Sequence, residues 1–322
     1  MHELLQALDN PQRAFPTVHV VGTNGKSTAV RTIAALLRTE GFEVGAYTSP
    51  HVSGWHERLD TDPESFERAV AHVRPAAEAV GATQFEALTA AAFRSFAERG
   101  VSAAVVEAGL GGRLDATNVL DSPVVLLTNV GLEHTDVLGD SREKIAREKL
   151  AVVVPGATVV LPDHEWRDLV SDAHVLLGGA REAAGAFAGH PLEGQVEVSL
   201  PGRLERRGSD EVRDGAHTPD GVAWLLERLE PREWTIVASI LRDKDVDTML
   251  ERLSAAGRAL VATRSSNPRA LGEKELAARA EPYFEHVEAV CDPAEALGRA
   301  RELGPVLVTG SLYLLADLHS TE

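Results

Sequence analysis

Short β-rich runs alternate with amphipathic stretches along the whole chain, and this alternation restricts the fold more than any other feature. Thr17–Val21 (TVHVV) reads as a buried strand, and residues 27–39 read as a helix with Val30, Ile33, Ala34 and Leu37 on one stripe. Val44–Tyr47 is a second strand, and residues 65–80 and 85–99 are helices, the latter ended by Gly100. Strands at 103–108, 124–129 and 157–161 follow, with a charged helix at 141–150. After residue 200 the pattern resumes, with strands at 234–240, 259–263, 287–290 and 306–309. Such alternation predicts α/β architecture, a parallel sheet covered on both faces.

Residues 177–195 are rich in Gly and Ala, contain Pro191 and hold no sustained period, so they read as a linker region. The chain is 322 residues long, and at ~150 residues per domain that suggests two domains. The expected division is 1–195 and 196–322, the second unit being smaller. Lys plus Arg number 32 against 49 Asp plus Glu, a net charge of −17. That balance argues against nucleic-acid and membrane-surface partners, which want a basic face, but not against a small anion held by a few donors. The single cysteine, Cys291, excludes an internal disulfide and fits a reducing cytoplasm. No apolar run approaches the roughly 18 residues of a membrane span, and the first fifteen residues show no signal-peptide core. The expectation is a cytoplasmic protein.

Gly22-Thr23-Asn24-Gly25-Lys26-Ser27-Thr28 lies between a strand and a helix, where a phosphate loop belongs. Glycines let backbone N–H groups wrap phosphates, Lys26 supplies a point charge, and the Ser27 hydroxyl suits Mg²⁺. A full P-loop would have glycine at position 20, where Val20 stands. A Gly-rich turn can also be only a tight connection; the Gly-Lys-Ser ending favours phosphate. Glu107 ends a strand just before Gly109-Leu110-Gly111-Gly112-Arg113, at the sheet end where ligands of open α/β sheets collect. It reads either as a metal-facing carboxylate or as a solvated strand terminus. His134, one of twelve histidines, is a possible ligand or an ordinary packed group. Lys149 stands among Glu143, Lys144, Arg147 and Glu148, which on their own read as solvated charge. Asp214-Gly215-Ala216-His217 and Asp243-Lys244-Asp245 read as caps and loops.

Taken together and in order, these stretches resemble the folylpolyglutamate synthase/dihydrofolate synthase family, relatives of the Mur cell-wall ligases. The matching runs include His19–Lys26 (HVVGTNGK), Tyr47–His51 (YTSPH), Phe85–Ala90 (FEALTA), Glu107–Asn118 (EAGLGGRLDATN), Asn129–Gly139 (NVGLEHTDVLG) and Ile145–Lys149 (IAREK). Later come Leu200–Arg203 (LPGR), Asp214–Pro219 (DGAHTP), Arg242–Asp245 (RDKD), Asn267–Arg269 and Thr309–Leu314 (TGSLYL). The resemblance implies a P-loop domain of Mur-ligase central type followed by a Rossmann-like α/β domain. It implies ATP-driven amide formation: a carboxylate of folate or dihydropteroate takes the γ-phosphoryl group, and the amine of L-glutamate displaces phosphate.

By the same resemblance Thr23, Asn24, Gly25, Lys26, Ser27 and Thr28 would hold the triphosphate, joined by Arg203 and Asp214. Ser27, Ser49 and Glu107 would hold one Mg²⁺ and His134 a second, and Lys149 would be carbamylated. Lys26, His134, Lys149 and His217 would be the catalytic set. Thr83, Phe85, Glu86, Arg113 and Asp115 match the pterin-binding stretch. No nucleic acid, membrane or partner chain is implied, and a monomer is expected. The chain departs from the family in reading Lys26-Ser27 without an intervening glycine and in a short amino-terminal segment. It also lacks a longer stretch between Leu161 and Leu200 and has Thr218 in place of an asparagine. Two other readings remain: a ligase of the same mechanism acting on a different carboxylate, and a homologue that binds nucleotide or folate without turnover.

Overall fold

The computed structural model describes residues 1–321. Its contacts divide the chain into two compact units, Met1–Ser49 with Trp55–Val198, and Pro50–Gly54 with the chain from Ser199 onward.

The first unit runs α1 (His2–Ala7), β1 (Thr17–Val21), α2 (Lys26–Thr39), β2 (Val44–Tyr47), α3 (Pro63–Val80), α4 (Gln84–Arg99), β3 (Ala103–Glu107), β4 (Val124–Leu127), α5 (Thr135–Leu138), α6 (Arg142–Leu150), β5 (Thr158–Leu161), β6 (His174–Leu177) and α7 (Ala180–Ala188). Its six strands are all parallel, in the order β2-β3-β1-β4-β5-β6. The order reverses at β1, which lies between β3 and β4, so their carboxyl ends form the crevice where such sheets bind ligands. Val18, Val20, Val105 and Leu126 face α2 and α7. Val106 and Tyr47 pack with α1, α3 and α4, while Val21, Val125 and Leu127 pack with α6. Strands buried on both faces explain the unbroken apolar runs in the sequence.

Residues 177–195 are not a linker. Residues 180–188 form α7, whose Ala183, Ala184 and Gly185 are buried against α2 and the sheet. The helix escapes a periodicity reading because its buried face is made of alanine and glycine, which allow close backbone approach but leave no apolar stripe. The short helix α1, with Leu4 and Leu5 buried, and the edge strand β6 add two further elements.

The second unit runs β7 (Glu205–Arg206), β8 (Glu211–Arg213), α8 (Pro219–Leu226), β9 (Thr235–Ala238), α9 (Val246–Leu253), β10 (Ala259–Ala262), α10 (Glu273–Ala280), β11 (His286–Ala289), α11 (Pro293–Leu303), β12 (Val306–Thr309) and α12 (Leu312–Ser320). The sheet order is β11-β10-β9-β12-β8-β7, parallel except for β7. Val52 is buried in this unit beside Leu312 and Leu315. Among the described residues no helix is long and apolar enough to cross a membrane.

Candidate active site

Gly22 leaves β1 at a point where no side chain fits. Its φ is +150° and a Cβ there would lie 1.9 Å from Thr128 Oγ1. The loop is then pinned by its neighbour strand. The amide of Thr23 donates to the Asn129 carbonyl at 3.1 Å, and that of Asn24 to Asn129 Oδ1 at 2.9 Å. Thr128 Oγ1 donates to the Asn24 carbonyl at 2.7 Å. Gly25, with φ +78° and open space where a Cβ would stand, starts α2. Lys26 curls back so that Nζ donates to the carbonyls of Gly22 and Thr23, at 2.9 and 3.0 Å. A cation, loop amides and the positive end of a 14-residue helix therefore converge, which is a place for phosphate.

Glu107, 2% exposed, closes β3 beside this loop. Ser27 Oγ donates to Oε1 at 3.1 Å and the Ser49 amide to Oε2 at 3.1 Å. A carboxylate and a hydroxyl are hard oxygen donors, the kind that suit Mg²⁺, which keeps waters and phosphate oxygens for its other positions. The residues present therefore fit the ion. Among the described residues no three His, Cys, Asp or Glu side chains gather into an all-protein metal centre. His134 is exposed, holds a left-handed backbone (φ 43°) and starts α5.

Lys149 is not solvated surface charge. It is 1% exposed, and its Nζ donates to Glu133 Oε1 at 2.5 Å and to the Gly22 carbonyl at 2.9 Å. Burial lowers the pKa of its amine and Lys26 adds to the effect, while Glu133 opposes both. Burial pushes the Glu133 carboxyl up, but Lys149 and then Lys26 outweigh it and hold the group below its ordinary value. Glu148, next in sequence, pairs instead with Arg113 at 3.1 Å. Glu133 is the site residue that motif reading missed, although it stands one position before His134.

The expected acceptor stretch is mostly occupied by its own loop contacts. Thr83 and Glu86 form a reciprocal cap at the start of α4, and the Met1 amino group reaches Glu86 Oε1 at 2.7 Å. That amino group first, then the Thr83 bonds, bring the Glu86 carboxyl down to about 2. The Phe85 ring lies under Gly109, where a Cβ would approach it to 2.4 Å. Asp115 accepts the Leu110 amide at 2.8 Å and the Thr117 amide at 2.9 Å. Gly112 presses on α6, since a Cβ there would meet the carbonyls of Glu148 and Lys149 at 2.6 Å.

In the second unit the structure brings Arg203, Asp214 and His217 together. Asp214 accepts the amides of Leu204 and Ala216, both at 2.8 Å, and burial raises its pKa. Arg203 Nη1 donates to the Gly202 carbonyl at 3.1 Å, and His217 Nδ1 lies 2.8 Å from the Gly215 carbonyl. Thr218 caps α8 by accepting the Gly221 amide at 3.1 Å.

Residues 20–175 match the Mur ligase middle domain, and residues 202–312 match the Mur ligase glutamate ligase domain. Fold and site thus define a Mur-type ligase. A folylpolyglutamate synthase of Lacticaseibacillus casei is 32% identical over 399 aligned residues, spanning 99% of this chain and 92% of that protein. A dihydrofolate synthase/folylpolyglutamate synthase of Mycobacterium tuberculosis is 30% identical, over 87% of this chain and 77% of that protein. The chain belongs to the folylpolyglutamate synthase/dihydrofolate synthase family. The solved M. tuberculosis folylpolyglutamate synthase complexed with ADP and AMPPCP superposes with a TM-score of 0.88 at 27% identity, over 99% of this chain and 94% of that one. The Yersinia pestis bifunctional enzyme complexed with AMPPNP and Mn ion gives 0.85 at 26%, over 99% and 91%.

Proposed function

We propose that this chain is an ATP-dependent ligase that joins L-glutamate to folate or dihydropteroate through an acyl phosphate. The observation that carries the reading is the Lys26 loop lying directly beside the buried Glu107–Ser27 pair. The family supports it: relatives bear the names folylpolyglutamate and dihydrofolate synthase, and the solved neighbours hold adenine nucleotides or their analogues.

ATP would lie with its phosphates on Thr23, Asn24, Gly25, Lys26, Ser27 and Thr28. Magnesium, held by Ser27, Ser49 and Glu107 with a second ion at His134, would supply charge neutralisation at the transferring phosphoryl group. Lys26 would hold the γ-phosphoryl oxygens as the acceptor carboxylate attacks phosphorus and the bond to ADP breaks. The glutamate amine then attacks the acyl carbon, loses a proton and expels phosphate. Thr83, Phe85, Glu86, Arg113 and Asp115 would receive the acceptor.

Lys149 would act as its carbamate. Carbon dioxide adds to a neutral amine and a proton leaves, and burial at this position favours the neutral form. The modified side chain would exchange its bond to Glu133 for a negative charge facing His134. The chain would work as a monomer in the cytoplasm. Phosphate release from ATP and Mg²⁺ with glutamate, compared across dihydropteroate, tetrahydrofolate and a cell-wall precursor, tests the whole reading. Release with either of the first two is expected; release only with the third moves the chain to another carboxylate. For Lys149, the ¹³C signal of labelled bicarbonate bound to the protein is the direct check. It should vanish in Lys149→Ala, whose lost activity a short added carboxylate partly restores.

A further inference from the structure

We propose that His19, acting through Thr117, is a positioning residue that fixes Asp115 and with it the loop 109–118 expected to receive the acceptor. His19 stands on β1, three residues before the phosphate loop, and is fully buried, as is Thr117. Its Nε2 lies 2.8 Å from Thr117 Oγ1, and that hydroxyl donates to Asp115 Oδ1 at 2.5 Å. A hydroxyl has one proton. With that proton given to the carboxylate, the bond to His19 requires an N–H on Nε2, so the chain of donors runs from His19 to Thr117 to Asp115.

The other ring nitrogen, Nδ1, is buried and has no hydrogen-bond partner. This agrees with the same tautomer, because an unpartnered lone pair costs less than an unpartnered N–H. Burial lowers the ring pKa to about 4, against the opposing pull of Asp115, so the imidazole is neutral at physiological pH.

Asp115 in turn gathers the loop. Besides the Thr117 hydroxyl it holds the amides of Leu110 and Thr117. The rest of the loop is clamped elsewhere, by the Arg113 amide on the Glu148 carbonyl at 3.1 Å and by Gly109 on Phe85. The relay therefore ties the strand that carries the phosphate loop to the loop carrying Arg113 and Asp115. An apolar trio would fill the same space; a polar relay adds orientation, because each group accepts only one arrangement of its neighbours. The inference rests on the acceptor reading of this loop given above.

The test uses the full chain with Thr117→Val, which removes the hydroxyl at nearly constant shape, and Thr117→Ser, which restores it. In Thr117→Val the KM for dihydropteroate or tetrahydrofolate should rise about tenfold, the scale of one hydrogen bond, with kcat and the KM for ATP within about twofold. Thr117→Ser should return the acceptor KM to within about twofold of wild type. Amide exchange at Leu110 and Thr117 should quicken in Thr117→Val and recover in Thr117→Ser. Unchanged exchange in Thr117→Val overturns the relay, and an equal fall in every kinetic constant overturns its positioning role. Wild type that turns over neither acceptor overturns the functional reading instead, while the exchange measurement still decides the wiring. If Thr117→Val does not fold, ¹⁵N shifts of His19 in wild type decide: a protonated Nε2 supports the relay, and a protonated Nδ1 ends it.

Discussion

At the carboxyl ends of β1 and β4 in the first unit, the chain leaves an amine curled over a glycine loop, with open space at Gly25. At the carboxyl ends of β9 and β12 in the second, the chain closes on itself. The Gly310 amide donates to the Ala216 carbonyl at 3.0 Å, and a Cβ at Gly310 would lie 2.7 Å from the Ser239 carbonyl. Asp214 spends both carboxylate oxygens on neighbouring amides. Both sheets reverse strand order at these ends, so topology alone does not separate them. The difference lies in whether the polar groups answer to the fold or wait for a ligand. Substitutions in the first crevice should therefore cost activity, and substitutions at the second should cost stability.

Lys26→Ala gives the largest effect. The side chain bonds only two loop carbonyls, so the melting temperature should stay within about 2 °C, the range of a surface change. Phosphate release should fall about a thousandfold, as when a main transition-state donor is removed. Turnover within tenfold of wild type would defeat the assignment. Glu107→Gln comes next, with a loss of about a hundredfold and a higher Mg²⁺ concentration for half-maximal rate. Its oxygen can accept the Ser49 amide and its NH2 can donate to Ser27 Oγ while the buried charge is removed, so stability should hold. A magnesium titration that superposes on wild type would count against a metal role.

Asp214→Ala tests the other side of the comparison. It strips two amides, Leu204 and Ala216, of their acceptor. At 1–3 kcal/mol for each unsatisfied buried group, the second unit should lose about 3 kcal/mol in urea unfolding. A loss below about 1 kcal/mol, within the scatter of an ordinary surface change, would show that Asp214 is not a structural staple.

The two crevices were also unequally legible. The position of the Lys26 loop and of Glu107 at the ligand end of the sheet could be read because the signals are local: glycines and a lysine between strand and helix, and a carboxylate at a strand end. Lys149 could not be read from its own helix. Glu143, Lys144, Arg147 and Glu148 surround it with solvated charge, and only the fold brings its amine to Gly22 and to Glu133, sixteen residues away. The family resemblance singled out the position without supplying its partner. The family resemblance marked Asp115 as a residue expected to receive the acceptor, but its role in holding amides depends on Thr117 and on His19 from a distant strand. The assignment of Pro50–Gly54 to the second unit left no mark in composition or period. Local chemistry survives in a motif; pairings made by strand order do not.

The smallest expected effect belongs to the pH dependence of folding, and it asks whether the first unit also contains a group that answers to the fold. His19 is neutral in the native state down to about pH 4, because burial outweighs the pull of Asp115. In the unfolded chain an unperturbed histidine takes its proton near pH 6.5. Between those values the unfolded state binds more protons, so stability falls as pH is lowered from about 6.5 toward 4 and is unaffected above that window. Linkage then gives a loss of about 2 kcal/mol at pH 5 relative to pH 8 from this one residue. Other groups titrate in the same range, so the measurement is a difference: urea unfolding of wild type and His19→Gln at both pH values. Gln carries an N–H for Thr117 and no titrating ring, so its stability should fall by about 2 kcal/mol less between them. Equal losses in the two proteins would mean that His19 is protonated while buried. That would make the β1 face of the first unit more open to water than its packing shows.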